Sequence, residues 1–405
     1  MSELPHVPRR PGFWLVGYAF AVTMLGTTLP TPLYPAYEQR FSFDALMVTV
    51  IYAVYAFGVM AALLLVGRAS DQLGRKTLLL PGLVFSGLSS VVFLVVGGVH
   101  HAGIPLLLTG RIVSGLSAGV FTGTATATLT DLAGPGRQAW AGLVAAVVNI
   151  GGLGLGPLTG GLLARWVGLP LQTCYALHLG LVLLAVAAVA VVPEPVEVVR
   201  PRRLVLQRLQ VPAPIRTTFV QAVTAGFAGF AVLGLFTAVS PAFLGLLGHH
   251  DPALTGLIVF SIFVASAVGQ VLSARWTATP ALLAGTALLV LGMVIVALGL
   301  GARSLPWLVV GAVIAGAGQG LSFRAALSAV TTASPVAQRG GVSSSFFAVC
   351  YIGISVPVIG VGVAAKHYGL VHTGEVFAGI VAALALAAFA SLLRSRPRPV
   401  TVDNA

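Results

Sequence analysis

The sequence predicts an all-α membrane protein with twelve transmembrane helices in two pseudo-symmetric bundles of six. Of its 405 residues, 57% are hydrophobic and only 8% are charged, whereas a soluble domain carries roughly 25% charged residues. Twelve apolar segments are long enough to cross a bilayer, which takes about 20 residues. Landmarks of the first six segments recur in the last six at a nearly constant offset. Together these observations exclude a soluble globular domain.

The twelve segments are numbered as spans 1 to 12 in chain order. We expect them at residues 13–36, 46–66, 77–98, 104–130, 138–163, 171–192, 216–244, 253–273, 279–300, 305–330, 341–365 and 373–393. A long polar stretch divides them into six and six. The predicted parts are an N-terminal bundle, a central loop, a C-terminal bundle and a tail, at residues 1–192, 193–215, 216–398 and 399–405.

The distribution of arginine and lysine predicts the orientation. With a cytoplasmic N-terminus, sixteen of the 22 basic residues are cytoplasmic, two lie within spans, and four are outside, namely Arg40, Arg165, Arg303 and Lys366. Cytoplasmic loops carry such an excess. We therefore expect a multi-pass protein of the plasma membrane with both termini and the 193–215 loop in the cytoplasm. Because the basic residues are scattered between apolar runs, the net charge of +12 indicates orientation and not nucleic-acid binding.

The two halves of the chain repeat one another. Two glycines of span 4 recur in span 10 at an offset of 201, and a proline of span 5 recurs in span 11 at an offset of 200. The residues concerned are Gly115, Gly119, Pro157, Gly316, Gly320 and Pro357. Gene duplication explains the agreement, and it predicts parallel six-helix halves. The alternative is coincidence among glycine-rich helices.

The loop between spans 2 and 3 carries the most specific motif. It reads GRASDQLGRK, residues 67–76, and fits the pattern G-x-x-x-D-x-x-G-R-K/R at Gly67, Asp71, Gly74, Arg75 and Lys76. The glycines permit a tight turn. Asp71 can lie at a helix N-terminus, where unpaired N–H groups favour an anion. The alternative is a positive-inside loop with a solvated aspartate.

This loop resembles the signature of the major facilitator superfamily of membrane transporters, which implies that the two bundles form the major facilitator fold. The resemblance also implies that Asp71 faces the start of span 11, at residues 341–343, and that Arg75 meets an acid at the end of span 4, here Asp131. We call these loop residues and Asp131 the gate motif. The matching loop of the second half, around Arg275, lacks the aspartate and glycines, so a gate there would be weaker.

Span 4 reads LTGRIVSGLSAG over residues 108–119 and resembles the family pattern R-x-x-x-G-x-x-x-G at Arg111, Gly115 and Gly119. A buried arginine costs at least about 2.5–3.5 kcal/mol, so Arg111 should face the bundle interior with partners. It could sense substrate or proton, or it could anchor hydrogen bonds or extend toward the interface. The glycines, with Gly123, suit close helix packing. Arg324 lies near the cytoplasmic end of span 10 and can extend its charge into water.

Span 5 reads GLGLGPLTGG over residues 152–161. It fits the family pattern G-x-x-x-G-P-x-x-G-G at Gly152, Gly156, Pro157, Gly160 and Gly161. The proline bends the helix, and the glycines give a smooth face to a neighbouring helix. In the family this pattern marks exporters, especially the twelve-helix drug/proton antiporters. The alternative is an ordinary glycine-rich packing helix.

The acidic residues leave few candidates for a proton carrier. All ten lie at helix ends or in loops, so no carboxylate is expected at mid-membrane depth. Glu38, which follows span 1, and His178 in span 6 are the candidates, and His178 has the alternative of a hydrogen-bonded structural role. His249, His250 and Asp251 are interpreted as a short outer loop, and neither they nor the two distant cysteines predict a metal site.

The substrate cavity should be mainly apolar and aromatic with a few polar groups. Candidates for its lining are Tyr18, Tyr52, Tyr55, Asn149, Gln221, Phe227, Phe230, Gln270 and Gln319. No nucleotide-binding motif is present in the sequence. The resemblance implies transport driven by the proton gradient, without a cofactor.

The expected function is therefore not enzymatic. We expect a secondary-active exporter of small amphiphilic compounds, coupled to proton antiport by alternating access and functional as a monomer in the bilayer. One alternative is an uptake symporter or facilitator for a sugar or organic ion, which the lack of a mid-membrane acid keeps open. A second alternative is a non-transporting membrane sensor.

Overall fold

The computed structural model describes residues 9–66, 72–99, 103–196, 209–335 and 338–394. Throughout these ranges the regular structure is helical, and twelve helices are long and apolar enough to cross a membrane. The chain is thus a multi-pass membrane protein, and the predicted fold class is confirmed.

The predicted spans correspond one to one with the observed helices. Span 1 consists of Arg9–Thr28 and Tyr34–Phe41, joined by a 3-10 turn at Thr31–Leu33. Spans 2 to 6 are Ala45–Val66, Arg75–Gly98, Gly103–Ala133, Gln138–Trp166 and Pro170–Ala190. Spans 7 to 12 are Arg216–Leu246, Pro252–Ser273, Ala278–Gly301, Leu305–Ala333, Arg339–Tyr368 and Leu370–Arg394.

Span 1 departs most from its predicted bounds of 13–36. Three prolines, at positions 30, 32 and 35, remove backbone donors and interrupt the first helix. The chain nevertheless resumes as a helix at Tyr34 and continues to Phe41. Glu38 therefore lies within the final helical segment of span 1, and the expectation that it follows the span is wrong.

The spans pair in the same way in the two sets of six. In the first set, span 4 packs on spans 1, 2 and 3, and span 6 packs on spans 1 and 3. In the second set, span 10 packs on spans 7, 8 and 9, and span 12 packs on spans 7 and 9. Span 1 contacts span 5 as span 7 contacts span 11. The contact pattern is what a duplicated six-helix unit would produce.

The two most extensive contacts between the sets are those of span 5 with span 8 and of span 2 with span 11. They are equivalent under the repeat. Because the number of spans is even, span 1 begins and span 12 ends on the same face of the molecule. We call it the terminus face. It also holds residues 190–196 and 209–216, and the other end is the opposite face.

Glycines allow spans 2 and 4 to pack closely, as predicted. A Cβ atom on Gly119 would lie 2.6 Å from the Cβ of Ala62, and one on Gly115 would meet the backbone of span 2. The prediction fails for Gly123, which is exposed and has nothing within 4 Å of an added Cβ. The small-residue face therefore ends one turn earlier than the spacing suggested.

Candidate functional site

A central cavity lies between the two sets of six, near the middle of the spans. It holds about 650 Å³ of space free of protein atoms, of which about 50 Å³ is wide enough for the centre of a water molecule. The walls are therefore close together. Its lining is Met24, Thr27, Thr28, Tyr52, Tyr55, Arg111, Thr122, Asn149, Ile150, Leu153, Phe230, Leu233, Thr237, Phe263, Phe323, Phe347, Tyr351 and Ile354.

Arg111 is the charged residue of this lining and is 1% exposed. Its guanidinium donates to the main-chain carbonyls of Thr27, Ile51 (3.4 Å) and Tyr52 (3.3 Å). It also lies over the ring of Tyr55, 4.8 Å from the centroid, an arrangement that stabilises a cation. As expected, Arg111 faces the bundle interior with partners. The partners are carbonyls of spans 1 and 2, so the arginine ties three helices together.

Aromatic rings from the second set form the wall facing Arg111. The centroids of Tyr55 and Tyr351 are 6.4 Å apart, and those of Tyr351 and Phe230 are 6.0 Å apart. Phe230 in turn packs 5.3 Å from Phe323. The edge-to-face pair of Tyr55 and Tyr351 joins the two sets at the centre of the molecule, and the other two pairs lie within the second set. A flat apolar group bound there would contact both sets at once.

A wider cavity opens on the terminus face. It holds about 1040 Å³ of free space, of which about 450 Å³ accepts the centre of a water molecule. Spans 4, 5, 8, 9, 10 and 11 line it, and Arg324 is the charged residue of its lining. Phe347 lines both this terminus-face cavity and the central cavity. The two spaces are therefore neighbours along one path.

The opposite face is closed by two ion pairs between the sets. Arg165 of span 5 contacts Asp251, and Lys366 of span 11 lies 2.5 Å from Asp44. Lys366, together with the backbone N–H of Met47, holds the pKa of Asp44 below its usual value. Between spans 1, 2, 7 and 11 there remains a small cavity, the opposite-face cavity, of about 360 Å³. Only about 20 Å³ of it accepts the centre of a water molecule.

The gate motif is described from Gln72 onward, and Gly67 and Asp71 lie outside the described residues. Gly74 precedes span 3 with φ of +98°, a backbone conformation that favours glycine. The Nε of Arg75 donates to the carboxylate of Asp131 over 2.9 Å. The contact expected between spans 3 and 4 is therefore present, and Arg75 is largely buried.

Glu194, which the sequence analysis did not single out, completes this corner. Its carboxylate accepts hydrogen bonds from the backbone N–H groups of Arg75 (2.7 Å) and Lys76 (3.0 Å), the first residues of span 3. An anion at a helix N-terminus satisfies orphan donors and the helix dipole. Lys76 donates in turn to the carbonyls of Ala190 and Val192 at the end of span 6. The motif thus joins spans 3, 4 and 6.

A family model described as Major Facilitator Superfamily matches residues 16–357, most of the chain. The chain belongs to this superfamily. Members of this superfamily are membrane transporters and not enzymes, and the resemblance seen in the motifs of this chain is confirmed.

Curated relatives in the superfamily match parts of the chain. A bacillibactin exporter of Bacillus subtilis is 29% identical over 147 residues, 36% of this chain and 37% of that protein. A triacylglyceride transporter of Mycolicibacterium hassiacum is 28% identical over 223 residues, 53% of this chain and 37% of that protein. The matched segments thus span little more than a third of these relatives.

Solved structures of superfamily transporters share the fold over nearly the whole chain. The human organic anion transporter MFSD10 (TETRAN) has a TM-score of 0.67 at 19% identity, covering 96% of this chain and all of that one. A bacterial homologue of the human lysosomal transporter Spinster, in an inward-facing and unoccupied conformation, has a TM-score of 0.70 at 16% identity, with coverages of 96% and 99%. At these identities the likeness concerns the fold alone.

The glycines of span 5 form two packing faces. Gly152, Gly156 and Gly160 lie against the backbone of span 1, where a Cβ on Gly152 would lie 2.6 Å from the carbonyl oxygen of Ala21. Gly161 lies against the start of span 8. On the partner helix, a Cβ on Gly256 would lie 3.0 Å from the carbonyl carbon of Pro157. The superfamily pattern therefore places span 5 against its own bundle and against the other bundle.

The two candidate proton carriers have different surroundings. Glu38 is half-buried and lines the opposite-face cavity. His178 is 3% exposed, its Nε2 lies 3.0 Å from the carbonyl oxygen of Val22, and its Nδ1 lies 2.6 Å from the Oγ of Ser90. Since a carbonyl only accepts, Nε2 carries the proton in this arrangement. His178 thus joins spans 1, 3 and 6 and is absent from the lining of the described cavities.

Four of the nine candidate lining residues face the central cavity: Tyr52, Tyr55, Asn149 and Phe230. The prediction is wrong for the other five. Tyr18 donates to Leu181 of span 6, and Gln221 donates to Ser391 of span 12. Phe227 lines an apolar crevice between spans 7, 11 and 12. Gln270 and Gln319 are fully buried beside Ser266 at the contact of spans 8 and 10. Periodicity could not separate these faces, because every face of a membrane helix is largely apolar.

The sequence analysis missed most of the second-set wall, although the repeat contained the signal. Adding the glycine offset of 201 to Thr122, Ile150 and Leu153 gives three second-set lining residues, namely Phe323, Tyr351 and Ile354. The same offset relates Arg165 to Lys366, the basic partners of the two ion pairs on the opposite face. The offset relates the two halves of each feature, but it identifies the second-set wall only once Thr122, Ile150 and Leu153 are known to line the cavity.

Proposed function

We propose that this transporter exports small amphiphilic compounds by alternating access, driven by proton antiport. The observation that carries the proposal is the arrangement of the three cavities. The terminus-face cavity is wide, the central cavity is narrow and aromatic, and the opposite face is closed by two ion pairs and the contact of spans 5 and 8. A substrate would enter from the terminus face, bind in the central cavity, and leave when the opposite face opens.

The export direction is supported by span 5 and by the relatives. All five specified positions of the exporter pattern are present, and their glycines form the closely packed contacts with spans 1 and 8. One relative is named an exporter and another a transporter of triacylglyceride. The aromatic and apolar lining of the central cavity suits the apolar part of an amphiphile.

The proposed orientation places the terminus face in the cytoplasm of a plasma membrane. It is supported by the sixteen-to-four distribution of basic residues. Labelling of single cysteines introduced at residues 193–215 tests it. Efficient labelling from outside intact cells by a membrane-impermeant reagent would contradict the orientation, and with it the export direction inferred from the cavities.

For the proton carrier, we propose Glu38 and not His178. A carrier must be reached from both sides in turn, and Glu38 lines a cavity that would open if the ion pairs of the opposite face separated. His178 has both ring nitrogens hydrogen-bonded in a packed region. We therefore propose a structural role for His178, a proton-carrying role for Glu38, and a proton gradient as the energy source without a cofactor.

The gate motif would stabilise the state that is closed on the terminus face, and Asp71 would face the start of span 11, as the resemblance implies. Both bundles of the transport path belong to one chain, so we expect a functional monomer.

Everted vesicles supplied with a panel of amphiphilic compounds, with and without a proton gradient, test the function. Uptake into the vesicles that requires the gradient and is lost in Glu38→Gln supports export by antiport, and His178→Asn serves as the comparison variant. Movement of substrate in the other direction would favour the uptake symporter instead. Equal proton-coupled flux in wild type and Glu38→Gln would contradict the carrier assignment alone.

A further inference from the structure

The charged residues that line the central and terminus-face cavities are of one sign among the described residues. Among the described residues that line the central and terminus-face cavities, Arg111 and Arg324 carry a formal charge, and neither lining includes an aspartate or glutamate. A cationic substrate would therefore meet two positive charges with no carboxylate to offset them. Charge at this depth of a membrane protein is costly unless it is paired, so the pair of arginines points to a substrate of opposite sign.

Arg324 is the more accessible of the two. It is half-buried on span 10, and within the described part of the chain its guanidinium makes no hydrogen bond or ion pair. The hydroxyl groups of Ser328 and Ser343 line the same cavity and can donate to an anion. Arg324 thus offers a planar set of donors to a ligand that arrives from the terminus face.

Arg111 keeps its charge in the central cavity. The main-chain carbonyls of Thr27, Ile51 and Tyr52 use three of its five N–H donors. Two donors remain, and carbonyls do not neutralise the charge. A carboxylate that replaced these carbonyls, or bound beside them, would accept charge-assisted hydrogen bonds from Arg111. Such bonds are about twice as strong as hydrogen bonds between neutral groups.

The surroundings of the terminus-face cavity are also basic. Arg137, Arg275 and Arg339 are exposed and lie close in sequence to residues that line this cavity. The described acids of the same face are already engaged, Asp131 with Arg75 and Glu194 with the start of span 3. A cavity surrounded by one sign of charge raises the local concentration of counter-ions.

We propose that the substrate is an amphiphilic carboxylate, whose head group binds Arg324 in the terminus-face cavity and Arg111 in the central cavity. Its apolar body packs on the rings of Tyr55, Phe230 and Tyr351. This assignment rests on the proposed function, and it narrows the proposed substrate from amphiphiles in general to anionic amphiphiles.

Binding to the purified transporter tests the head group without reference to direction or coupling. Three probes share one ring system and differ in charge: 2-naphthoate, 2-naphthamide and 2-naphthylmethylammonium. Isothermal titration calorimetry in lipid nanodiscs should give the tightest binding for 2-naphthoate. Arg324→Gln should weaken 2-naphthoate binding by about tenfold or more, as loss of a charge-assisted bond implies, and should leave 2-naphthamide unchanged. Arg303→Gln, which removes an exposed arginine of the opposite face, is the matched control and should bind 2-naphthoate like wild type.

Several results would overturn the assignment. The ammonium probe could bind as tightly as 2-naphthoate, Arg324→Gln could weaken 2-naphthoate and 2-naphthamide equally, or 2-naphthoate could fail to bind. The vesicle experiment separates this outcome from the proposed function, because gradient-dependent export of cationic amphiphiles would uphold the exporter and reject the carboxylate.

Discussion

Closure of the opposite face depends on the absence of a side chain at Gly256. A Cβ at this position would lie 3.0 Å from the carbonyl carbon of Pro157, closer still to its oxygen, and 3.3 Å from the Cα of Gly161. Ordinary contacts of a Cβ begin near 3.4 Å. Gly256→Ala therefore forces spans 5 and 8 apart, because both neighbours are main chain that cannot rotate away.

The size of the effect follows from overpacking. Inserting a methyl group into a tight contact costs about 1–3 kcal/mol. In the proposed cycle this contact exists only while the opposite face is closed, so the cost applies to that state alone. The equilibrium should shift toward the state open on the opposite face by roughly 5- to 140-fold, at tenfold for each ~1.4 kcal/mol.

Cysteine labelling measures this shift. Ala242→Cys places a thiol in the lining of the opposite-face cavity, and the native Cys174 and Cys350 are buried. In detergent, the rate of maleimide labelling should rise in the Gly256→Ala background. Gly151→Ala is the matched control, because nothing lies within 4 Å of an added Cβ there. Equal labelling rates in the two backgrounds, with both proteins folded by size-exclusion chromatography, would refute the reasoning.

Three further predictions concern the charged contacts. Asp131→Asn should slow transport without loss of expression, and the exchanged pair Arg75→Asp with Asp131→Arg should restore part of it; no recovery in a transport assay would argue against a simple ion pair. Glu194→Gln should lower the thermal unfolding temperature, since it weakens an N-terminal anion worth about 0.3–2 kcal/mol; an unchanged melting curve would contradict this. The ionised carboxylate of Asp44 contributes to closure above its usual pKa of 3.8, and this contribution is lost as the pH falls through the lowered pKa. Spin-label distances across the opposite face should therefore lengthen in acid, and Asp44→Asn should abolish that change.

The fold could be predicted from sequence because a membrane imposes simple rules on length and apolarity. Helix bounds matched closely except in span 1, which was predicted to end at residue 36 and continues to Phe41. There the helix resumes after a 3-10 turn, so that Glu38 lies within a helical segment. Length and apolarity do not describe the local hydrogen bonds of the backbone. These rules therefore did not predict where span 1 is interrupted and where it ends.

The candidate site was predicted unevenly for a physical reason. The contact of Arg75 with Asp131 could be predicted because the family resemblance implies it, and because a charge in a membrane protein needs a partner. Gln270 and Tyr18 are polar but pack between helices away from the central cavity, because a helix–helix contact can bury an amide or a phenol as well as a cavity can. Glu194 was missed because its partners are backbone N–H groups, which leave no pattern of side chains to detect.

The partners of Arg111 have a consequence for genetics. Each hydrogen-bond acceptor of its guanidinium is a main-chain carbonyl, and no substitution at Thr27, Ile51 or Tyr52 deletes one. A search for suppressors of an Arg111 mutant should therefore yield no compensating exchange at those three positions. For the same reason, Arg111 should show little covariation with them among homologous sequences, even though it is among the most extensively bonded side chains of the interior.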